Sequence, residues 1–167
     1  LTPVVLPRFV RLERAERARI LDDATRALAE PLGADSSMES IADAVGLSRS
    51  AMYNYFDGRA DLVAAVLDHA GQLAADALGP WVPSADVPSF WAALSAASLR
   101  LRSLISERPE MRAHLAALPL REDDPWMDAL VDNAAALRLY TGRDRPAAVV
   151  LTTALLGAVD RLELERP

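Results

Sequence analysis

SSMESIADAVGLSRSAMYNYFDGRADL, residues 36–62, reads as two short helices joined by a tight turn and followed by the start of a long one. Ser36 and Glu39 have the spacing of a capping box, in which hydroxyl and carboxylate each satisfy an orphan backbone N–H, so a helix is predicted to begin there. Met38, Ile41, Ala42 and Val45 recur at i, i+3, i+4 and i+7 and form one apolar face. Gly46 ends that helix, because glycine takes the left-handed conformation a helix C-terminus often needs. Leu47 plugs the turn and Ser48 starts the next helix as its N-cap. That second helix turns Ala51, Met52, Tyr55 and Phe56 toward the first and leaves Arg49, Ser50, Tyr53 and Asn54 facing outward.

A short helix with Arg, Ser and Asn in its first turns, held by a three-to-four-residue turn containing Gly, has the form of a major-groove reader. The groove admits one helix, whose N-terminal residues then reach the base edges. An αα-hairpin with an ordinary solvated face satisfies the same turn, and the local pattern alone leaves both readings open.

Over residues 17–62 the chain resembles the TetR family of one-component transcriptional regulators. RARILDDATRALAEPLG is similar to the family's first helix, with Arg17, Ile20, Leu21, Ala24 and Leu28 in place and Gly33 at its end. The second and third helices and the start of the fourth match through Ile41-Ala42, Gly46-Leu47-Ser48, Tyr53, Phe56 and Leu62. There are two departures. The loop over residues 33–41 is about one residue shorter than usual, and Pro31 predicts that the first helix stops near Glu30. The usual Lys at the start of the fourth helix is Arg59, which keeps the charge.

The resemblance implies an all-α fold. A three-helix DNA-binding unit with its helix-turn-helix, residues 1–60 including an N-terminal arm, precedes a helical effector-binding and dimerisation bundle, residues 61–167. The expected DNA-contacting residues are Ser37, Ser48, Arg49, Ser50, Tyr53, Asn54, Tyr55 and Arg59. Arg49, in the first turn with a planar bidentate fork, suits guanine O6 and N7. Tyr53, Tyr55 and Arg59 fall to the DNA backbone by the resemblance, Arg59 with help from a helix N-terminus.

At 167 residues the chain is long enough for a substantial core, and 51% hydrophobic with 25% charged residues is an ordinary globular balance. It has no cysteine, hence no disulfide framework and no thiolate metal site, in keeping with a reducing cytoplasm. Its net charge of −6 runs against a DNA binder, but the charge is uneven. Residues 1–20 carry five Arg against Glu13 and Glu16, whereas residues 61–167 carry ten Arg against fifteen acids. Positive charge thus gathers toward the expected phosphates, and the acidic remainder limits non-specific affinity. The longest apolar run, residues 147–159, is too short to span a membrane, and no signal peptide is visible.

In chain order, residues 1–7 with two prolines read as a loose arm. Arg8, Arg11 and Arg14 either track the DNA backbone or line a solvated face. A long fourth helix is expected from Gly58 to about Leu78, linking the DNA unit to the rest. Asp86 caps a fifth helix to about Arg108, broken by Pro109. A short sixth covers 110–118, Asp124 and Pro125 open a seventh to Tyr140, and Asp144 and Pro146 restart an eighth. No catalytic set is present. His69 and His114 read as surface or lightly buried groups, and Glu122, Asp123 and Asp124 read as a solvated loop and cap. Neither a cofactor nor a resident metal is expected.

Trp91, Ser95, Trp126, Leu130, Asn133 and Tyr140 are candidate lining of an effector pocket, which the resemblance places in the C-terminal helices for a fairly apolar small molecule. Each alone also suits core or dimer packing. The family implies a homodimer built on its last two helices, and only one of these is legible before Pro167. Either the sequence is a fragment or the eighth helix pairs with part of the seventh, Gly157 and Ala158 allowing close approach. The expected protein is a ligand-responsive dimeric repressor with double-stranded operator DNA and a small-molecule effector as partners. The alternative is an all-helical small-molecule-binding or adaptor protein whose helix-turn-helix is vestigial.

Overall fold

In the computed structural model of the protein, residues 5–29, 36–118 and 124–139 are described. Among them the chain forms eight helices and no strand: α1 Pro7–Val10, α2 Arg14–Ala27, α3 Met38–Val45, α4 Arg49–Tyr55, α5 Arg59–Leu78, α6 Val87–Glu107, α7 Met111–Ala117 and α8 Pro125–Ala136. The expected all-α architecture is what the residues build. Expected features at Gly33, Glu122, Asp123 and Tyr140, in the helix expected from Asp144 and Pro146 onward, and at Gly157 and Ala158 lie outside the described residues.

The chain divides into two compact units. The first takes the described residues up to Ala74 together with Leu104–Leu118; the second takes Ala75–Ser103 with the described residues beyond 123. Ile20, Leu28, Ile41, Met52, Phe56 and Leu62, all fully buried, form the centre of the first unit. Burial of each side chain of this size stabilises by about 1.5–3 kcal/mol.

The arm is not loose where it can be described. Val5 makes an antiparallel bridge with Phe56, the Leu6 N–H donates to the Tyr55 carbonyl at 2.9 Å, and Pro7 opens α1. The reason is Phe9, 4% exposed, whose ring meets Tyr55 and Phe56 at centroid distances of 5.7 and 4.9 Å. An apolar anchor nine residues into the chain draws the arm onto the core.

Helix α2 also differs from expectation, ending at Ala27 rather than near Glu30. The Ala29 N–H turns back to the Arg26 carbonyl, a tightened last turn. The neighbouring Thr25 carbonyl is taken by His114, whose Nε2 donates to it at 2.8 Å. His114 is 2% exposed and therefore a core residue, more deeply placed than the surface or lightly buried group expected. His69 is half-buried and donates from Nε2 to Asp22 at 2.8 Å.

In the second unit Trp81 packs edge-on against both Phe90 and Trp126, at 5.4 and 5.5 Å, with Leu130 buried beside them. Arg100 donates to the Ala77 and Leu78 carbonyls at 3.1 and 2.7 Å, and Gly79 at φ +66° closes the same helix end. Asp86 and Asp124 cap α6 and α8 as expected, accepting from the backbone N–H of Ser89 and from those of Trp126 and Met127. Pro109 follows the end of α6 at Glu107. Helix α8 stops at Ala136, short of Tyr140, and Arg138 takes a left-handed φ of +58° just after it.

Candidate nucleic-acid interface

The site begins with two serine caps. Ser37, not Ser36, is the N-cap of α3; its Oγ accepts from the Ser40 N–H at 3.1 Å. Both serines have a polar residue three positions on, so the spacing alone could not choose between them. Gly46 sits at φ +74°, ψ +29°, and the Leu47 N–H returns to the Ala42 carbonyl at 2.9 Å, so α3 ends in a left-handed turn as expected. Half-buried Leu47 packs on the core, and Ser48 Oγ accepts from the Ala51 N–H at 3.2 Å to start α4.

Helix α4 is held at both ends as well as underneath. Met52 is fully buried, Ser48 caps the start and Phe56 bridges to Val5 at the end, while Arg19 of α2 pins the preceding α3 through the Val45 carbonyl at 3.2 Å. A seven-residue helix is marginal in isolation, so these tertiary contacts are what hold it rigid. A rigid short helix is what presents side chains at a reproducible spacing.

The eight expected contact residues fall into three sets. Arg49, Ser50, Tyr53 and Asn54 stand outward on α4, all exposed. Ser37 and Ser48 are exposed caps at the starts of α3 and α4, with their hydroxyls already accepting backbone N–H groups. Ser50 Oγ lies 3.1 Å from Ser48 Oγ. Tyr55 and Arg59 are half-buried; the Tyr55 ring packs on Phe9, and Arg59 Nε donates to the Ser36 carbonyl at 3.1 Å. The outward set is thus one contiguous face, while Tyr55 and Arg59 also serve the scaffold.

Arg49 has two neighbours. Its Nη1 lies 3.6 Å from Glu39 Oε2, and its guanidinium carbon stands 5.8 Å from the centroid of the Tyr53 ring. Sequence reasoning assigned Glu39 to a capping box and so missed it at this surface.

The positive charge is more dispersed than a count of arginines suggests. Arg17 is spent internally, donating to the Val10 and Leu12 carbonyls at 2.6 and 2.7 Å and closing the turn between α1 and α2. Arg19 pairs with Glu16 and Asp23 at 2.9 and 2.8 Å. Arg8, Arg11 and Arg14 remain exposed.

The expected pocket residues of the second unit are not alike. Trp91 and Ser95 are exposed, Trp126 is half-buried, Leu130 and Asn133 are buried, and Tyr140 lies outside the described residues. Asn133 has both ends of its amide engaged. Its Oδ1 accepts from Trp81 Nε1 at 3.2 Å and from the Ser84 N–H at 2.8 Å, and its Nδ2 donates to the Ser84 carbonyl at 3.0 Å. In the first unit Val5, Phe9, Leu21, Ala65, Asp68, His69 and Gln72 line an open cleft of about 210 Å³. Among the described residues no group of three His, Asp or Glu side chains could hold a metal ion, and no helix is long and apolar enough to cross a membrane.

Comparison with known proteins points the same way as this geometry. No curated protein and no solved structure matches the chain. Residues 20–66 match the family model of the bacterial regulatory proteins, tetR family. That match runs from buried Ile20 of α2 through the caps and outward face of α3 and α4 to buried Val66 of α5. It covers the helix-turn-helix that binds DNA in this family, and over residues 20–66 the chain is similar to the TetR family of transcriptional regulators.

Proposed function

We propose that the protein is a repressor that binds a palindromic operator as a homodimer in the cytoplasm and is released by a small, fairly apolar effector. The observation that carries the DNA-reading part is the face of Arg49, Ser50, Tyr53 and Asn54 on a helix capped at its start by Ser48 and tied at its end by Val5. Arg49 in the first turn reads a base edge, its bidentate fork matching guanine O6 and N7. Tyr53 and the exposed Arg8, Arg11 and Arg14 meet the backbone, which positions the helix without carrying sequence information. Two such helices related by a two-fold axis call for an inverted repeat with half-sites roughly one helical turn, ~34–36 Å, apart.

The effector reading draws on the second unit, where Trp91, Ser95 and Trp126 offer aromatic and hydroxyl surface. Helix α5 has residues in both compact units, which makes it the lever by which an effector would shift the reading helices. For release, the effector must bind the DNA-incompetent state better than the competent one, since equal affinity shifts nothing.

A gel shift on DNA flanking the protein's own gene, with salt varied, tests the reading. The expected result is a saturable complex on an inverted repeat, weakened by Arg49→Ala by about 1–3 kcal/mol with relaxed preference at one position of each half-site. Binding without sequence preference at any salt would leave a helical protein with a vestigial helix-turn-helix instead.

A further inference from the structure

We propose that Glu39 is a specificity-determining residue of the reading surface: its carboxylate aims the Arg49 guanidinium and keeps phosphate away from it. This rests on the reading of α4 as the DNA-contacting helix. The starting observation is the one-residue shift of the α3 cap. Because Ser37 accepts from Ser40, Glu39 stands in the first turn of α3 rather than three residues from the cap. Its carboxylate is 66% exposed and lies on the Arg49 side, Oε2 to Nη1 at 3.6 Å.

The Tyr53 ring is the second neighbour, one helical turn beyond Arg49 and 5.8 Å from its guanidinium carbon. A guanidinium flanked by a carboxylate and an aromatic face has fewer directions open to it than a free arginine. Arginine has five N–H donors, and Nη1 is the one that stands 3.6 Å from Glu39 Oε2. The remaining donors suffice for the O6 and N7 acceptors of guanine, which are neutral. A phosphate oxygen would bring a second negative charge beside Glu39. The same carboxylate therefore tolerates a base edge and opposes a backbone contact.

The pair does little for folding, since exposed ion pairs between mobile side chains contribute little. Its effect belongs to the bound complex, where the groove fixes both partners. Removing the charge frees Arg49 for phosphate and should raise affinity where no guanine is correctly placed.

The test uses the full chain and four proteins: the unsubstituted one, Glu39→Gln, Arg49→Ala and the double variant. Each is titrated by fluorescence anisotropy against a duplex selected from a random pool by the unsubstituted protein, and against a scrambled duplex, over a range of salt. Glu39→Gln is expected to bind the scrambled duplex about two- to fivefold tighter, with a salt slope steeper by about one unit. The ratio of selected to scrambled affinity should fall by at least the same factor. In the Arg49→Ala background the Glu39→Gln change should leave that ratio unaltered, because the effect acts through Arg49. An unchanged ratio in Glu39→Gln, or an equal fall with and without Arg49, would overturn the proposal. Failure of the unsubstituted protein to select any sequence would instead overturn the DNA-reading function beneath it.

Discussion

Arg108 donates from Nη1 to Asp22 Oδ1 at 2.7 Å, 86 residues away in sequence, and His69 Nε2 shares that oxygen at 2.8 Å. One carboxylate on α2 thereby gathers α5 and the residue that follows α6. Burial raises the Asp22 pKa, but the hydrogen bonds from His69 and Arg108 outweigh it and hold the carboxyl below its ordinary value. A depressed folded-state pKa contributes stability above the ordinary carboxylate value of about 4 and loses it as pH falls through the folded value. Asp22→Asn should therefore destabilise by about 1–2 kcal/mol at neutral pH. In urea titrations the gap between the two proteins should narrow below about pH 4; a gap constant down to pH 2 would place the effect elsewhere.

His114→Leu keeps bulk in the core but leaves the Thr25 carbonyl without the N–H that now meets it at 2.8 Å. A buried acceptor left unpaired costs about 1–3 kcal/mol. The expected outcome is a lowered melting temperature with α7 less protected in hydrogen exchange. Protection unchanged over residues 111–117 would show that α7 does not depend on this bond.

Gly46 has no atom within 4 Å of where a Cβ would stand, so space is not what excludes a side chain there. The obstacle is φ +74°, which an L-residue adopts at a cost of about 1–2 kcal/mol. Gly46→Ala should lower stability by that amount, and Gly46→Asn by less, as asparagine tolerates the left-handed region better. Equal losses for both would point to something other than backbone conformation.

Arg59 is expected to serve twice. Its Nε holds the Ser36 carbonyl just ahead of α3, and by the family resemblance its charge meets a phosphate. Arg59→Ala should weaken selected and scrambled DNA alike and flatten the salt slope by about one unit. A lower melting temperature with an unaltered slope would make Arg59 a scaffold residue alone.

Asn133→Leu in the second unit removes acceptors from Trp81 Nε1 and the Ser84 N–H together. A loss of about 2–3 kcal/mol is expected, with a shift in tryptophan emission as the residues around Trp81 loosen. Unchanged emission and unfolding would mean that these donors find replacements.

The helix-turn-helix was legible because everything that defines it is local. The apolar spacing of Met38, Ile41, Ala42 and Val45, the glycine at the turn and the Ser48 cap lie within one stretch of chain, and each acts through its immediate neighbours. Locality also explains the one misplacement there. Ser36 with Glu39 and Ser37 with Ser40 present the same spacing, and only the folded backbone shows which hydroxyl meets an N–H. That choice is what places Glu39 beside Arg49.

What pairs across long separations was not legible. The bridge of Val5 to Phe56 depends on where Phe9 finds a cavity, and the return of residues 104–118 to the first unit depends on Asp22 and Thr25 presenting free acceptors on α2. No periodicity in the 104–118 stretch announces its partner, so it reads as the end of a fifth helix and a short sixth beyond Pro109. His114 reads as a surface or lightly buried group for the same reason: a histidine's full burial follows from the acceptor it meets, and that acceptor lies 89 residues away. The apolar face of α3, the Gly46 turn, the Ser48, Asp86 and Asp124 caps and the outward face of α4 are all readable in the chain, because they follow from nearest-neighbour chemistry. Folding settles which arginines also carry distant internal bonds, since Arg19 reaches the Val45 carbonyl and Arg59 the Ser36 carbonyl, acceptors 26 and 23 residues away that no local pattern announces.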